Sequence, residues 1–250
     1  MKFIRFEKDN GILNGVLEGN EITVIKGSVF EEIERTDEKV LIDDVKILPP
    51  CLPSKAVCIG LNYKTHVEES GVNIPESPVV FMKPSTAVIG NLDYIIYPQM
   101  SKRVDYEAEL AVVIGKKTKN ITVAEAKDAI LGYTCGNDVS ARDLQPENGQ
   151  WTIAKSFDTF LPLGPWIETD ADPSNLRIRT LLNGEVKQDS NTKFLIFDVY
   201  TLVSYISQIM TLNPGDVIMT GTPRGIAPMK KGDKVEVEIE NIGTLTNFIK

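Results

Sequence analysis

The stretch that most constrains the fold is residues 104–114, Val-Asp-Tyr-Glu-Ala-Glu-Leu-Ala-Val-Val-Ile. Its second half is a continuous apolar run, which is typical of a strand buried on both faces. Its first half alternates, so Glu107 and Glu109 are expected on one face of an extended strand, with Asp105 in line behind them. Carboxylates that lead into a buried strand lose hydration and repel one another. Protons, cationic side chains or a metal ion must therefore neutralise them.

This acidic stretch has two interpretations. In the simpler one, the strand starts at the surface and its acidic face stays in water, since charged residues are mostly exposed. In the other, the carboxylates hold a cation, and Asp138 in the later segment 137–143 supplies a third oxygen donor. Three carboxylates with no His or Cys among them suit a hard cation such as Mg²⁺ or Mn²⁺.

The composition argues against several classes of function. The chain has 250 residues, of which 42% are hydrophobic and 25% charged, and a net charge of −8. An acidic chain of this kind is a poor partner for nucleic acid, which needs a clustered basic surface. No apolar stretch is long enough to span a bilayer, and the three cysteines form no C-x-x-C pair. We therefore expect a cytoplasmic protein with no nucleic-acid and no membrane partner.

The order of predicted elements indicates an α+β fold that is mostly β. Residues 1–50 contain short apolar clusters separated by Gly and Asn, as in a meander of hairpins, and Leu48-Pro49-Pro50 then breaks the chain. We therefore expect a small N-terminal β domain at 1–52 and a second, larger domain at 53–250.

Two local signals are clear in the larger domain. Asn183-Gly184 predicts a type I′ hairpin turn. Asp198 predicts the start of a helix that continues to about Thr211, with apolar residues on one face.

Other side chains could take part in chemistry. His66 and Glu69 lie three residues apart on a predicted helical turn, where the carboxylate can orient the imidazole as a base; the alternative is a surface histidine near an acidic neighbour. Lys155 stands in a mainly apolar segment and is either a surface charge or a buried cation that holds a substrate carboxylate. Arg142 and Gln145 follow Asp138 closely in the sequence. They either bind the same ligand as Asp138 or are ordinary exposed side chains.

The segment Thr220-Gly221-Thr222-Pro223-Arg224-Gly225 closes a predicted strand. Gly221 allows backbone N–H groups to approach a ligand closely. The segment lacks the length and the lysine of a P-loop, so it does not predict a nucleotide site. An ordinary tight turn is the alternative.

Taken together, these segments resemble the fumarylacetoacetase (fumarylacetoacetate hydrolase) superfamily over about residues 55–250. Each segment is a weak signal by itself, but seven in the same order are highly specific. The segments that carry the resemblance are Gly60-Leu61-Asn62-Tyr63, His66 with Glu69, Phe81-Met82-Lys83-Pro84, Asp105-Tyr106-Glu107-Ala108-Glu109-Leu110, Asn137-Asp138-Val139-Ser140-Ala141-Arg142-Asp143, Ala154-Lys155-Ser156-Phe157 and Thr220-Gly221-Thr222-Pro223.

The resemblance implies a mixed β-roll in the larger, catalytic domain, a homodimer and a bound divalent metal, Mg²⁺ or Mn²⁺. It implies that a 2-oxo acid is the substrate and that a His–Glu pair activates water. The residues it implies are Glu107, Glu109 and Asp138 as metal ligands, His66 and Glu69 as the water-activating pair, and Lys155, Gln145 and the Thr222 turn as the groups that hold the substrate.

Larger members of the superfamily have a further aspartate ligand seven residues before the histidine, where this chain has Ile59. The chain therefore resembles the smaller, three-carboxylate branch, which includes acylpyruvate hydrolases, oxaloacetate decarboxylases, and isomerases or decarboxylases of 2-oxo-heptene-dioates. In all of them, the resemblance implies, a metal chelates the 2-oxo acid and stabilises the enolate that forms when a C–C or C–H bond breaks.

We accordingly expect an enzyme that cleaves a C–C bond, by hydrolysis or decarboxylation, in a small 2,4-dioxo or 2-oxo dicarboxylic acid such as an acylpyruvate or oxaloacetate. One alternative is a tautomerase, a 2-hydroxyhepta-2,4-diene-1,7-dioate isomerase. Another is a metal-stabilised binding protein without turnover. Two polar segments, a candidate lid at 67–78 and the loop 145–150, are expected to shape the choice of substrate.

Overall fold

The fold is mostly β, and a computed structural model describes residues 1–71, 73–147 and 150–250 of the chain. The strands of this part, in chain order, are β1 (Lys2–Lys8), β2 (Gly11–Glu18), β3 (Glu21–Lys26), β4 (Glu34–Leu41), β5 (Lys46–Ile47), β6 (Ala56–Gly60), β7 (Val79–Lys83), β8 (Val88–Ile89), β9 (Tyr94–Ile95), β10 (Val104–Asp105), β11 (Ala108–Ile114), β12 (Ile130–Asn137), β13 (Ser140–Ala141), β14 (Leu161–Glu168), β15 (Arg177–Leu182), β16 (Glu185–Asn191), β17 (Val217–Met219), β18 (Pro228–Met229), β19 (Lys234–Ile239) and β20 (Gly243–Ile249).

The α-helices are short. They are α1 (Lys64–Ser70), α2 (Ala126–Ala129), α3 (Thr152–Lys155) and α4 (Val199–Ile209), and single 3₁₀ turns occur at Ile42–Asp44, Ser85–Ala87, Arg142–Leu144 and Thr192–Phe194. In the described part of the chain, no helix has both the length and the apolar character needed to cross a bilayer.

One long sheet organises the strands. Its order is β4-β3-β2-β1-β14-β12-β11-β17-β6-β7, with β5 paired to β1 and β8 paired to β14. Most neighbours are antiparallel, but β17 runs parallel to β6 and β8 runs parallel to β14. A second sheet, β16-β15-β19-β20-β9, packs across β11 and β12, and β13, β10 and β18 form a third. This mixture of parallel and antiparallel neighbours confirms the predicted fold class.

Strand β11 is buried on both faces, which confirms the interpretation of its apolar run. Leu110, Val112 and Ile114 pack into the core between the long sheet, the second sheet and α4. Ala111 and Val113 face the opposite core, which contains residues of β14 and β17. A slip of one residue would exchange these two faces, so burial on both sides fixes the register of the strand. The carboxylates at the start of β11 therefore have defined positions.

The N-terminal segment forms the predicted meander of hairpins, β1 to β4, and this meander continues the long sheet. β1 pairs with β14, with Lys2 opposite Glu168 and Phe3 opposite Ile167. The Met1 ammonium donates a hydrogen bond to Glu168 at 2.9 Å. The division of the chain into domains at 1–52 and 53–250 stays a prediction.

Both local signals in the larger domain are confirmed. Asn183 and Gly184 join β15 to β16 with φ of +54° and +83°, the left-handed pair that a type I′ turn requires. The Asp198 side chain accepts a hydrogen bond from the backbone N–H of Thr201 at the start of α4. That bond satisfies one of the N–H groups that a helix start otherwise leaves unpaired.

Candidate active site

The topology brings four chain segments to one end of the long sheet. β11 runs antiparallel to β12 and β17, and β17 runs parallel to β6. The start of β11 therefore lies beside the ends of β12, β17 and β6. Those ends lead into Asp138, into the turn 220–225 and into α1, so side chains that are distant in sequence can share one site.

Glu107, Glu109 and Asp138 form an acidic cluster at this end of the sheet. One carboxylate oxygen from each lies within 4.8 Å of the other two, and the residues are only 5%, 1% and 1% exposed. Asn137 accepts the backbone N–H of Glu107 at 2.9 Å, and Asp138 donates its own N–H to the Glu107 carbonyl at 2.9 Å. The interpretation that left the acidic face in water is wrong. The role of these residues as metal ligands stays a prediction.

The donor set of the cluster fits a hard divalent cation. All three donors are carboxylate oxygens, the ligands that Mg²⁺ and Mn²⁺ prefer. Their mutual repulsion is substantial, because burial and then the charges of Asp138 and Glu107 raise the pKa of Glu109 well above its ordinary value. A cation between the three oxygens would offset that repulsion.

Three cationic side chains already surround the cluster. The Lys155 ammonium donates to Glu107 at 2.9 Å and to Asp138 at 2.7 Å. The buried Lys83 donates to the other oxygen of Asp138, and Arg142 donates to Glu107. Every oxygen of Glu107 and Asp138 therefore has a cationic partner, whereas in the described part of the chain Glu109 has none.

These contacts shift the pKa values of Glu107 and Glu109 in opposite directions. Burial alone would raise the pKa of Glu107, but the charges of Lys155 and Arg142 outweigh it and hold that pKa below its ordinary value. Burial also disfavours the Lys155 ammonium, yet Asp138 and Glu107 raise its pKa. Glu107 and Lys155 thus form a charged pair, and Glu109 is the carboxylate whose charge is least compensated.

Arg142 is oriented by a buried carboxylate. Asp105 is fully buried, accepts from Arg142 Nε at 3.0 Å, and accepts from Arg103 at 2.9 and 3.1 Å. The other N–H groups of Arg142 donate to Glu107 and to the Gln145 side chain. Asp105 therefore helps to orient the guanidinium so that it contacts both Glu107 and Gln145.

The turn after β17 is tied to the cluster through its backbone. Gly221 has a φ of +98°, and a Cβ at this position would lie 2.8 Å from the Asn62 Cβ, so glycine is required. The Gly221 N–H donates to Glu109 at 2.8 Å. In this structure the Gly221 N–H is therefore bonded to the acidic cluster. Direct contact between Gly221 and a substrate stays a prediction. Thr222, which follows, lines a pocket beside the cluster.

His66 and Glu69 lie on one face of α1. The His66 Nδ1 and Glu69 Oε2 atoms are 3.5 Å apart, which is long for a hydrogen bond, although catalytic hydrogen bonds often shorten only when a ligand is bound. Glu69 also accepts the N–H of Gly225 at 3.2 Å, and 43% of its side chain is exposed. The imidazole thus reaches the pocket, while Glu69 lies behind it against the turn.

The pocket beside the cluster has a volume of about 280 Å³ and contains most of the predicted site residues. Residues 145–147 of the segment 145–150 line this pocket. Asn148 and Gly149 of the same segment, and Val72 of the segment 67–78, lie outside the described residues. The predicted residues that line the pocket are His66, Glu107, Glu109, Asp138, Arg142, Gln145, Lys155 and Thr222.

An aromatic wall completes the pocket, and the sequence alone did not reveal it. Phe81 and Trp151 pack edge to face with ring centroids 5.1 Å apart, and the Lys155 Nζ lies 5.0 Å from the centroid of the Phe81 ring. Phe81 and Lys83 are two residues apart in β7, so they point the same way, toward the cluster. In the sequence, Lys83 is marked only as a lysine at the end of an apolar strand and as part of the segment Phe81-Met82-Lys83-Pro84 that carries the family resemblance.

Two family models together match almost the whole chain. The model described as fumarylacetoacetate (FAA) hydrolase C-terminal matches residues 55–250, and the model described as Rv2993c-like, N-terminal matches residues 1–50. Among curated relatives, a mitochondrial oxaloacetate tautomerase from Rattus norvegicus is 45% identical over 214 residues, covering 81% of this chain and 68% of that protein.

Solved structures show the same architecture. A 2-hydroxyhepta-2,4-diene-1,7-dioate isomerase from Mycobacterium marinum is 44% identical, with a TM-score of 0.93 over 100% of this chain and 98% of that chain. A maleylpyruvate hydrolase from Sphingobium sp. SYK-6, solved with manganese(II) and pyruvate, is 27% identical, with a TM-score of 0.83 over 100% of this chain and 98% of that chain.

Proposed function

The chain belongs to the fumarylacetoacetate hydrolase family of enzymes, and from this premise we propose that it is a Mg²⁺- or Mn²⁺-dependent enzyme that cleaves a C–C bond in a small 2,4-dioxo or 2-oxo dicarboxylic acid. The observation that carries the proposal is the convergence of Glu107, Glu109 and Asp138 oxygens within 4.8 Å, in a pocket that also contains two cationic side chains. A divalent cation held there supplies Lewis-acid stabilisation of the negative charge that develops on a 2-oxo oxygen.

The size and charge of the pocket support a small anionic substrate. At about 280 Å³, the pocket lies just below the range for ligand sites, which begins near about 300 Å³. Lys155 and Arg142 contribute positive charge, and Gln145 and Thr222 contribute neutral hydrogen-bonding groups. The Phe81 ring faces the same space and suits the carbon chain of the acid.

His66 is the residue we assign to proton transfer. Its Nδ1 faces Glu69, so Nδ1 carries the proton of that contact and Nε2 is left to accept a proton from water. Glu69 would orient the ring and balance the charge that forms on it. Water activated in this way attacks a carbonyl carbon, which hydrolysis of an acylpyruvate requires and decarboxylation of oxaloacetate does not.

A second candidate reaction is tautomerisation of a 2-oxo acid. The observation that favours it is similarity: the oxaloacetate tautomerase and the heptadienedioate isomerase are 45% and 44% identical to this chain, whereas the maleylpyruvate hydrolase is 27% identical. Tautomerisation uses the same stabilised enolate but ends when a proton returns to carbon or oxygen. It therefore needs His66 or Lys155 as a proton carrier and no water at the carbonyl carbon.

The test is a substrate panel measured with EDTA, with Mg²⁺ and with Mn²⁺. Acetylpyruvate and oxaloacetate are incubated with the protein, pyruvate release is coupled to lactate dehydrogenase, and loss of the enol form is followed by ultraviolet absorbance. Glu109→Gln removes one proposed ligand, and Glu31→Gln is the matched control because Glu31 is exposed and lies in the N-terminal segment.

Each outcome of the panel has a defined meaning. Cation-dependent pyruvate release, lost in Glu109→Gln and kept in Glu31→Gln, supports C–C cleavage. Enol loss without pyruvate supports the tautomerase. Stabilisation by Mg²⁺ without any turnover supports the non-catalytic binding protein. Turnover that is insensitive both to EDTA and to Glu109→Gln contradicts the proposed metal dependence.

A further inference from the structure

Gln188 is a buried side chain of β16 whose hydrogen bonds join the acidic strand to the turn after β17. It is 1% exposed and does not line the pocket. Its oxygen accepts from the backbone N–H of Ala108 at 3.0 Å and from the Thr180 hydroxyl at 2.6 Å. Its nitrogen donates to the Thr222 hydroxyl at 2.9 Å and to the Pro223 carbonyl at 2.8 Å. These four bonds use both donors of the amide and both lone pairs of its oxygen.

Two of the four partners determine which way the amide points. A backbone N–H can only donate and a carbonyl can only accept, so Ala108 must face the Gln188 oxygen and Pro223 must face the nitrogen. At its contact with Thr222, Gln188 therefore donates and the hydroxyl accepts. The proton of the Thr222 hydroxyl is consequently left for another acceptor.

The pocket is the place where that acceptor can lie. Thr222 is 3% exposed and lines the pocket together with Arg142 and Lys155. Among residues 1–71, 73–147 and 150–250, Gln188 is the hydroxyl's only hydrogen-bonding partner. An anionic oxygen in the pocket would therefore meet a hydroxyl whose proton is not committed to the protein.

We propose that Gln188 is a positioning residue that makes the Thr222 hydroxyl a hydrogen-bond donor toward an anionic oxygen of the bound acid. This inference rests on the proposed function, because it requires an anionic ligand in the pocket. Without Gln188 the hydroxyl proton would have no fixed direction, and ligand binding would have to order it. A donor that is already set avoids that cost, which is the general advantage of preorganised sites.

A purely structural role for Gln188 predicts different behaviour. The Ala108 N–H, which Gln188 accepts, lies between Glu107 and Glu109 in the chain. If Gln188 mainly supports this part of β11, its loss would disturb the acidic cluster and reduce the Mg²⁺-induced rise in Tm. Action through Thr222 would instead weaken ligand binding and leave the cation response unchanged. The two roles are therefore separable by measuring both quantities in the same variants.

The experiment measures oxalate binding by titration calorimetry at saturating Mg²⁺, since oxalate is a small planar dianion that resembles the enolate of a 2-oxo acid. The variants are Gln188→Leu, Thr222→Val, the double variant, and Thr180→Val as the matched control. Thr180→Val removes one bond at the Gln188 oxygen but leaves Ala108 and Pro223 to hold the amide. The Mg²⁺-induced rise in Tm is recorded for each protein.

We expect Thr222→Val to weaken oxalate binding by about tenfold to a hundredfold, the scale for losing a hydrogen bond to a charged group. Gln188→Leu keeps the hydroxyl and loses only its fixed direction, so it should weaken oxalate binding by about twofold to tenfold, the scale for ordering one side chain. The double variant should bind no more weakly than Thr222→Val, because Gln188 acts through the hydroxyl. Thr180→Val should bind oxalate like the parent. In all variants the Mg²⁺-induced rise in Tm should equal the parent's.

A second substitution keeps the test valid if Gln188→Leu does not fold. Gln188→Glu preserves the shape of the side chain but offers an acceptor to Thr222, which draws the hydroxyl proton away from the pocket. Oxalate binding should weaken in this variant at least as much as in Thr222→Val, and more strongly as rising pH ionises the introduced carboxyl group.

The possible failures are distinguishable. If the parent does not bind oxalate with Mg²⁺, the proposed function fails and this inference fails with it. If the parent binds oxalate but the Gln188 variants bind equally well, or the losses in the double variant are additive, only the role of Gln188 is overturned. A reduced Mg²⁺ response in the Gln188 variants would assign the residue to support of the acidic cluster instead.

Discussion

Replacing Lys155 by methionine should destabilise the metal-free protein and, at the same time, strengthen its binding of Mg²⁺. The Lys155 side chain is 3% exposed, and its ammonium lies 2.9 Å from Glu107 and 2.7 Å from Asp138. Methionine keeps an unbranched apolar chain of similar length but removes the charge. Two buried carboxylates then lose the counter-ion that they share, and the space between them becomes more attractive to another cation.

The magnitude follows from the contacts that remain. Removing one partner of a buried ion pair costs about 3–5 kcal/mol. Asp138 keeps its contact with Lys83, and Glu107 keeps its contact with Arg142, so we take the lower end, about 3 kcal/mol. For a chain of this size, a loss of 1 kcal/mol lowers Tm by about 2–4 °C, so Tm in EDTA should fall by about 6–12 °C.

The gain in Mg²⁺ affinity comes from removing a like charge. Two unit charges about 4 Å apart interact by about 4 kcal/mol at an effective dielectric constant of about 20, the value that best describes protein sites. Recovering a little more than a third of this repulsion, about 1.4 kcal/mol, would increase the affinity about tenfold. Turnover should nevertheless fall, because the same ammonium is proposed to hold the substrate carboxylate.

The assay is thermal unfolding at neutral pH, in EDTA and over a series of Mg²⁺ concentrations. A cation that binds only the folded protein stabilises it by RT ln(1 + [L]/Kd), so the concentration at which Tm begins to rise reports the affinity. Lys231→Met is the control, since Lys231 is exposed. The reasoning is refuted if Lys155→Met unfolds at the parent's Tm in EDTA, or if it needs more Mg²⁺ than the parent.

Three further predictions follow from the same contacts. Glu109→Gln should keep or raise the Tm measured in EDTA, because burial and two neighbouring carboxylates already disfavour the charge of Glu109. The same variant should show no rise in Tm with Mg²⁺. A variant whose Tm rises with Mg²⁺ like the parent's would remove Glu109 from the ligand set. His66→Ala should lower the rate of acylpyruvate hydrolysis by about a hundredfold or more, the scale for a general base. If the parent decarboxylates oxaloacetate, the variant should retain much of that activity. Equal losses of pyruvate release from the two substrates would contradict a role as base. Asp216→Asn should cost about 3 kcal/mol at pH 7, because this buried carboxylate pairs with Lys55 and accepts the Ser54 hydroxyl at 2.6 Å. Burial alone would raise the pKa of Asp216, but backbone and side-chain hydrogen bonds, with the Lys55 charge, hold it below its ordinary value; its contribution is therefore complete above the ordinary Asp pKa and is lost as pH falls below about 4. Urea unfolding of the parent and Asp216→Asn from pH 7 to pH 3 should converge, and a constant difference across that range would contradict this assignment.

The features that could be predicted from the sequence depend on near neighbours in the chain. The apolar run of β11 shows burial on both faces, Asn183-Gly184 determines its own turn, and Asp198 caps the helix that follows it. The resemblance to a family favoured one of the two interpretations of Lys155 and added an expected substrate contact for Thr222, and both roles stay predictions. The convergence of three carboxylates could be anticipated only as one of two alternatives, because burial of an acidic face is decided by the rest of the fold.

The features that could not be predicted depend on contacts across the sheets. Gln188 stands in the strand Glu-Val-Lys-Gln-Asp-Ser-Asn, where nearly every residue is polar and nothing marks one as buried. Its partners Ala108 and Thr222 are 80 and 34 residues away. Lys83 contacts Asp138 over a separation of 55 residues. Such partners are set by strand order, which a single sequence does not display.

The meeting of β6, β11, β12 and β17 at one end of the long sheet bears on the rates of folding and unfolding. The Gly221 N–H and the Glu109 carboxylate that it serves are 112 residues apart in the chain, and chains dominated by such non-local contacts fold slowly. If this end of the sheet is still open in the transition state of folding, the acidic cluster has not yet formed there. A cation that binds only the complete cluster would then stabilise the folded state but not the transition state. It would therefore slow unfolding and leave the folding rate nearly unchanged. The concentration of divalent cation would then determine how long the folded chain persists, as well as whether it turns over substrate.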